Sequence, residues 1–347
     1  MHFDLMIVRF QEATTKKNEK MKRKNFAIVM VLLLTSGTAF SQTLTDVINE
    51  FNAAVESLNE QSYESALNQF NNCLTLAEAV GEEADDMKKQ AQEQIVGTHY
   101  RQAITLMKRK QYDNAIPSLE NTVKFAEEYG VKEEFAEKAI KYLPSLYIRQ
   151  GNVLLKQEKF DESLETFDKV LAMNSKTYQA HQGKGLVYKE LGEIDNMLEE
   201  FNMAKEKAVA ENDQKMIDDI NSSIDGYFRG LIEEELMMID PEVPDYTFLI
   251  DICDEAIEAN ESNGYAYWQA AMAYNKMVEY DTAIEYAEKG VEVETDPIML
   301  SAIYYELGQA YHNTVSYEDA CEAYNKVTEE PFLTKAEKKM MNTPDCN

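Results

Sequence analysis

The chain has 347 residues, with 34 Lys and Arg against 63 Asp and Glu (formal net charge −29) and 44% hydrophobic residues. That apolar share can bury a sizeable core and excludes disorder over the whole length. Thirteen Gly and seven Pro are poor material for a turn-rich β-sandwich or barrel, and four Cys are too few for a disulfide-built scaffold. The negative charge disfavours nucleic acid and anionic membrane surfaces as partners.

In chain order, the first feature is an address label. The basic start Met21-Lys22-Arg23-Lys24 precedes the apolar run Phe26 to Leu34, and Ala39-Phe40-Ser41 follows before Gln42. A charged n-region, a short apolar h-region and small residues two apart predict a secretory signal peptide over 21–41, cleaved after Ser41. The apolar run is too short to cross about 30 Å of hydrocarbon, so a transmembrane anchor is disfavoured. No cysteine follows it, which argues against a lipid anchor. Residues 1–20 mix charges without periodicity and read as an upstream extension before a start at Met21. Removing seven basic and three acidic residues with 1–41 leaves 27 basic against 60 acidic, a net of −33. No later segment is apolar enough to span a membrane. The expectation is a soluble, exported protein of the periplasm or the cell exterior.

A repeat then dominates. Gln61-Ser62-Tyr63-Glu64-Ser65-Ala66, Gln111-Tyr112-Asp113-Asn114-Ala115, Lys159-Phe160-Asp161-Glu162-Ser163, Glu279-Tyr280-Asp281-Thr282-Ala283 and Ser316-Tyr317-Glu318-Asp319-Ala320 share one pattern. Each has an aromatic, an acidic residue one or two places on, and a small residue three places on. The opening positions fall at Tyr63, Tyr112, Phe160, Ile194, Tyr246, Tyr280 and Tyr317, and two of the gaps (160 to 194, 246 to 280) are 34 residues. Upstream of them run Tyr147…Gly151…Leu154, His181…Gly185…Tyr188, Tyr267…Ala271…Tyr274 and Tyr304…Gly308…Tyr311, with Ala54 and Ala103 in the small-residue place earlier. A small residue flanked by bulky ones a turn away lets a second helix approach closely.

These segments resemble tetratricopeptide repeats, over about residues 45–330. The resemblance implies an all-α, right-handed superhelical solenoid of about six to seven helix pairs with a concave groove. Three gaps exceed 34 by 15, 14 and 18 residues, close to whole helical turns, so 83–107, 132–157 and 213–238 are predicted as long or kinked helices. Gly97, Pro144 and Gly226 are the predicted breaks. The loop Asp240-Pro241-Glu242-Val243-Pro244-Asp245 departs from the pattern, which makes that unit the least regular. Residues 331–347 carry a short polar helix (Thr334 to Met341) predicted to act as a solubilising cap.

In such a solenoid the first helices line the groove. With the small residue of each set at zero, offsets −6, −3, −2, +1, +4 and +5 form a stripe away from the core. The stripe nominates Tyr100, Arg101, Lys108, Arg149, Asn152, Lys156, Lys189, Tyr265, Trp268, Lys276, Tyr305, Gln309 and His312 as groove residues. Its 36 positions in six aligned units hold six basic and two acidic residues, inverting the polarity of the whole chain. A basic and aromatic groove suits a peptide or protein segment with acidic groups, or a free C-terminus. Repeats of this family that hold chaperone tails use a Lys, Asn and Arg clamp. Asn152 and Arg149 fit it, but Gly183 leaves the clamp incomplete, so that specificity is not expected.

Residues that could carry chemistry are sparse. Of four His, His2 is in the extension, His181 falls at a core offset, and His312 has no second ligand at metal spacing; His99 is the fourth. Gly183-Lys184-Gly185 lacks phosphate-loop spacing, and the acidic 240–245 loop lacks the glycine and terminal glutamate of a calcium loop. Cys73 and Cys253 fall at buried offsets of second helices. Cys321 and Cys346 could pair to pin the tail to the last repeat, or stay free. The sequence therefore predicts a non-catalytic interaction scaffold of the bacterial envelope with no cofactor or metal. A self-assembling homo-oligomeric module is the alternative, and a small-molecule-binding or enzyme component is the remote one.

Overall fold

The computed structural model describes residues 42–173, 176–344 and 346. The predicted extension and signal peptide lie outside the described residues. Within them are fifteen α-helices, one 3₁₀ turn (Glu82–Ala84) and no strand. The all-α expectation is met.

The chain divides inside its third helix into two compact units, up to Thr98 and from His99 onward. The first contains α1 (Leu44–Asn59) and α2 (Tyr63–Val80), followed by the start of α3 (Asp85–Lys108). Thr43 begins α1 with a reciprocal capping box: its hydroxyl accepts from the Asp46 N–H, and the Asp46 carboxylate accepts from the Thr43 N–H at 2.9 Å. Ala54 is fully buried between the two helices, where Phe70 packs edge-on against Phe51 at 5.5 Å.

The second unit continues with α4 (Tyr112–Tyr129), α5 (Glu133–Lys156), α6 (Phe160–Ala172), α7 (Thr177–Leu191) and α8 (Ile194–Glu211). It ends with α9 (Gln214–Met238), α10 (Thr247–Ala259), α11 (Gly264–Lys276), α12 (Tyr280–Val293), α13 (Pro297–Asn313), α14 (Tyr317–Asn325) and α15 (Phe332–Met340). Helices packed most closely are sequence neighbours, and α5, α7, α9, α11 and α13 also touch in succession. First helices thus form a continuous layer with second helices behind it.

The long helices appear where expected, as α3, α5 and α9. Within the second unit, α5 and α9 stay helical through Pro144 and Gly226. Proline removes one intrahelical hydrogen bond. Here Pro144 is buried on the packed face between Leu143 and Leu146, and tertiary contacts hold the turns on either side. Six of the seven opening positions are the first residue of their helix, while Tyr246 is the cap of a helix that starts at Thr247.

A shared turn explains both the regularity and the exception. Two residues before the opening position, Gln61, Lys110, Glu158, Gly192, Val278 and Val315 all have φ between 58° and 72°. The corresponding residue before Tyr246 is Pro244, whose ring fixes φ near −65° and forbids that turn. The chain there takes the longer acidic loop instead. This loop leaves Met237, Met238, Val243 and Phe248 among the most exposed apolar side chains.

The small residues do what their spacing predicts. An added Cβ at Gly151 would lie 2.7 Å from the Phe167 ring, one at Gly185 2.5 Å from Phe201, and one at Gly308 2.6 Å from Tyr324. Gly183 is also a packing glycine, because Phe167 wedges against it as well as against Gly151.

Candidate functional site

The nominated groove residues fall into three groups along the first-helix layer. Arg101 and Lys108 on α3, and Arg149 and Lys156 on α5, are exposed. Each pair is seven residues apart, on one face of its helix. Tyr100 is not free beside them: its ring stacks on Phe135 of α5 at 4.9 Å, and burial pushes its hydroxyl pKa up. The Arg149 guanidinium lies over the Tyr112 ring at 4.4 Å, a cation–π contact, and the side chain stays exposed. Asn152 and Lys189 are half-buried.

The second group is Lys189 on α7, a helix that also holds an ionic cluster the sequence pattern did not reveal. Glu200 of α8 accepts from His181 Nδ1 at 2.6 Å and from Lys184 Nζ at 2.7 Å, and Lys184 also reaches Asp168 of α6 at 3.1 Å. Burial works against the charge on Lys184, but Glu200 and Asp168 outweigh it and raise its pKa. Glu200 is likewise held below the usual carboxylate range: burial works against its charge, and the hydrogen bonds with His181 and Lys184 outweigh it. The cluster ties α6, α7 and α8 together from the core side. Its signal was a basic residue at each of two core offsets, His181 and Lys184, facing an acid one helix on.

The third group lies towards the C-terminal end of the layer. Tyr265, Trp268, Tyr305, Gln309 and His312 are all partly buried, and the chain's own C-terminal segment covers Trp268, Tyr305 and His312. The Ser301 hydroxyl accepts from the Thr328 and Glu329 N–H groups, both at 3.1 Å, where the chain leaves the last repeat for α15. Phe332 then packs edge-on against Trp268 at 5.6 Å and, tilted, against Tyr305 at 6.0 Å. Lys335 lies over the Tyr305 and Phe332 rings at 5.9 and 5.1 Å. Ala336 is fully buried. Beyond α15, Thr343 is 2% exposed, its hydroxyl bonded to His312 Nδ1 at 2.9 Å. Cys346 is joined to Cys321 by a disulfide. The predicted cap is therefore an amphipathic helix with a committed apolar face, not a merely polar one.

Beneath that helix sits an acid. Glu306 is only 7% exposed; burial raises its pKa, against the pull of Asn275, Lys276, Gln309 and Lys335. Asn275 donates to it at 2.9 Å and Gln309 at 3.0 Å. Tyr265 is sandwiched between Arg229 at 4.3 Å and Trp268 at 5.7 Å, while Lys276 is exposed.

Elsewhere, two clefts open on the second-helix side. One of about 840 Å³ is lined by Glu193, Asp195, Glu255 and Glu258, and one of about 460 Å³ by Glu288, Tyr304, Tyr311 and Glu322. Cys73 and Cys253 are buried thiols, pushed up to about 11 and about 12 by desolvation. Among the described residues no group of His, Cys, Asp and Glu could hold a metal ion, and no helix is long and apolar enough to cross a membrane.

The paired helices, the shared turn and the packed small residues define an all-helical repeat protein. Models of the tetratricopeptide repeat match residues 148–211, 264–297 and 301–330, so the chain carries tetratricopeptide repeats. A TPR repeat-containing protein of Methanocaldococcus jannaschii is 26% identical over 184 residues, 51% of this chain; the match spans 30% of that relative's length. Among solved structures, the TPR2AB domain–pHSP90 complex of yeast Sti1 is similar with a TM-score of 0.32 and 15% identity, over 86% of this chain and 93% of that one. YrrB, described as a TPR protein with an unusual peptide-binding site, is similar with a TM-score of 0.28 and 20% identity, over 56% and 91%. Tetratricopeptide repeats are in general protein–protein interaction modules.

Proposed function

We propose that this protein is a non-catalytic scaffold of the bacterial envelope, exported by its N-terminal leader, that binds a peptide or protein segment along the first-helix layer. The observation that carries the reading is the exposed cationic strip of Arg101, Lys108, Arg149 and Lys156 on α3 and α5, in a chain of net charge −29. A strip of this polarity favours a segment with carboxylate groups, and Arg149, over the Tyr112 ring, offers a planar fork for one of them. The test is charge reversal: with Arg101, Arg149 and Lys156 changed to Glu, partner capture from the native envelope is expected to fall at least tenfold. Unchanged capture would refute the reading.

The exposed apolar side chains of Met237, Met238, Val243 and Phe248 favour a second reading, in which copies of the chain self-assemble through the irregular unit. Light scattering after size exclusion separates the two. A monomer at all concentrations excludes assembly, and a dimer lost on Phe248→Glu supports it.

A further inference from the structure

The C-terminal helix behaves as a tethered ligand, and its chemistry describes what the far end of the layer is built to hold. Its two anchoring side chains, Phe332 and Lys335, stand three residues apart on one face. The first meets Trp268 and Tyr305; the second lies over Tyr305 and contributes to the field on Glu306. Beneath them, in place of the exposed cations of α3 and α5, the acid Glu306 is buried among aromatic rings and accepts hydrogen bonds from Asn275 and Gln309. The tail is also an imperfect occupant. Trp268 Nε1 and Asn275 Oδ1, seven residues apart on the same face of α11, are buried without a hydrogen-bond partner among the described residues. A donor and an acceptor left unpaired reward any occupant that supplies their complements.

We propose that the α11/α13 face is a second binding surface, for a helical protein segment with an aromatic residue followed three positions on by Lys or Arg, and that the chain's own C-terminal helix occupies it until such a segment displaces it. This rests on the reading of the first-helix layer as a binding surface but concerns its other end and the opposite ligand charge. The tail is tied at both ends, by Ser301 where it begins and by the Cys321–Cys346 bond where it finishes. Displacement therefore competes with an intramolecular segment at high effective concentration. A weak segment cannot enter, and loosening the tether opens the face.

The test uses the full chain and one probe, a fluorescein-labelled peptide with the sequence of residues 329–343. Trp268 is the single tryptophan, so its quenching by acrylamide reports whether the tail is seated. Phe332→Ala/Lys335→Glu is expected to raise the quenching constant at least twofold and to bind the peptide at least tenfold more tightly than the parent chain. Cys346→Ser, which keeps every packing side chain, should bind it at least threefold more tightly. Adding Glu306→Gln to the opened chain should weaken binding at least tenfold, as should replacing the Lys at the position of Lys335 in the peptide by Glu. Raised quenching with no peptide binding would show a structural cap only and overturn the inference. Unchanged quenching in the double variant would overturn it as well, since Phe332 and Lys335 would then not be the anchors. Neither result depends on Arg101, Arg149 or Lys156, so the proposed function is tested separately.

Discussion

Val278 and Val315 hold φ of 67° each, a left-handed conformation in which a β-branched side chain crowds its own backbone. Both side chains are 66% exposed, so little packing compensates for the strain. Val278→Gly and Val315→Gly are each expected to stabilise the protein by about 1 kcal/mol, after the extra freedom of glycine in the unfolded chain is counted. Thermal unfolding checks this; a lowered Tm for both would contradict the turn geometry. His99 makes a different residue-scale prediction. It is 9% exposed, stacked on Phe125 at 5.4 Å, and desolvation pushes its pKa down to about 4. Because the folded pKa lies below the unfolded value of about 6.5, its contribution is present above pH 6.5 and is lost as the pH falls towards 4. Between pH 6.5 and 4.5 the parent chain should lose about 2 kcal/mol more than His99→Phe. Equal losses in denaturant titrations would show that His99 protonates freely when folded.

At the scale of helices, glycines separate into those that admit a neighbour and those that do not. Gly185 faces Phe201 at a distance no Cβ tolerates, so Gly185→Val should destabilise by about 1–3 kcal/mol through overpacking of α7 against α8. Gly226 and Gly230 on α9 have nothing within 4 Å of an added Cβ. Gly226→Ala and Gly230→Ala should each stabilise by about 0.5–1 kcal/mol through helix propensity alone. Chemical denaturation of the three variants decides; the same sign for all three would contradict the packing. The same helices show how far sequence spacing reaches. Tyr63, Tyr112 and Phe160 gave their helix starts, and Gly151, Gly185 and Gly308 their contacts, because both are local consequences of one repeated unit. The breaks at Pro144 and Gly226 did not follow, because the packing around a long helix outweighs the local cost of one poor helix former.

For the whole second unit, what could not be read from the repeat is what lies on top of it. Helical offsets placed Trp268, Tyr305 and His312 on the first-helix face, and they are there. Spacing within a repeat says nothing of a later segment folding back over that face. The signal was nonetheless present: Phe332, Ala336 and Met340 recur every fourth residue, an apolar stripe too regular for a purely polar cap. Glu306 lies on the same face, and its burial, which raises its pKa, sets an acid among the aromatic rings within the field of Lys276 and Lys335. The layer therefore offers two chemistries: exposed cations on α3 and α5, and an acid among aromatics on α11 and α13.

The most direct test of the central claim, that partners bind the first-helix layer, is site-specific photocrosslinking in cells that express the protein. A photoreactive residue at Lys156 on α5 is compared with one at Glu165 on α6, both exposed and on opposite layers of one helix pair. The account predicts a discrete adduct from position 156 that disappears with Arg101→Glu/Arg149→Glu, and none from position 165. An adduct from 165 alone, or equal adducts from both, would contradict it.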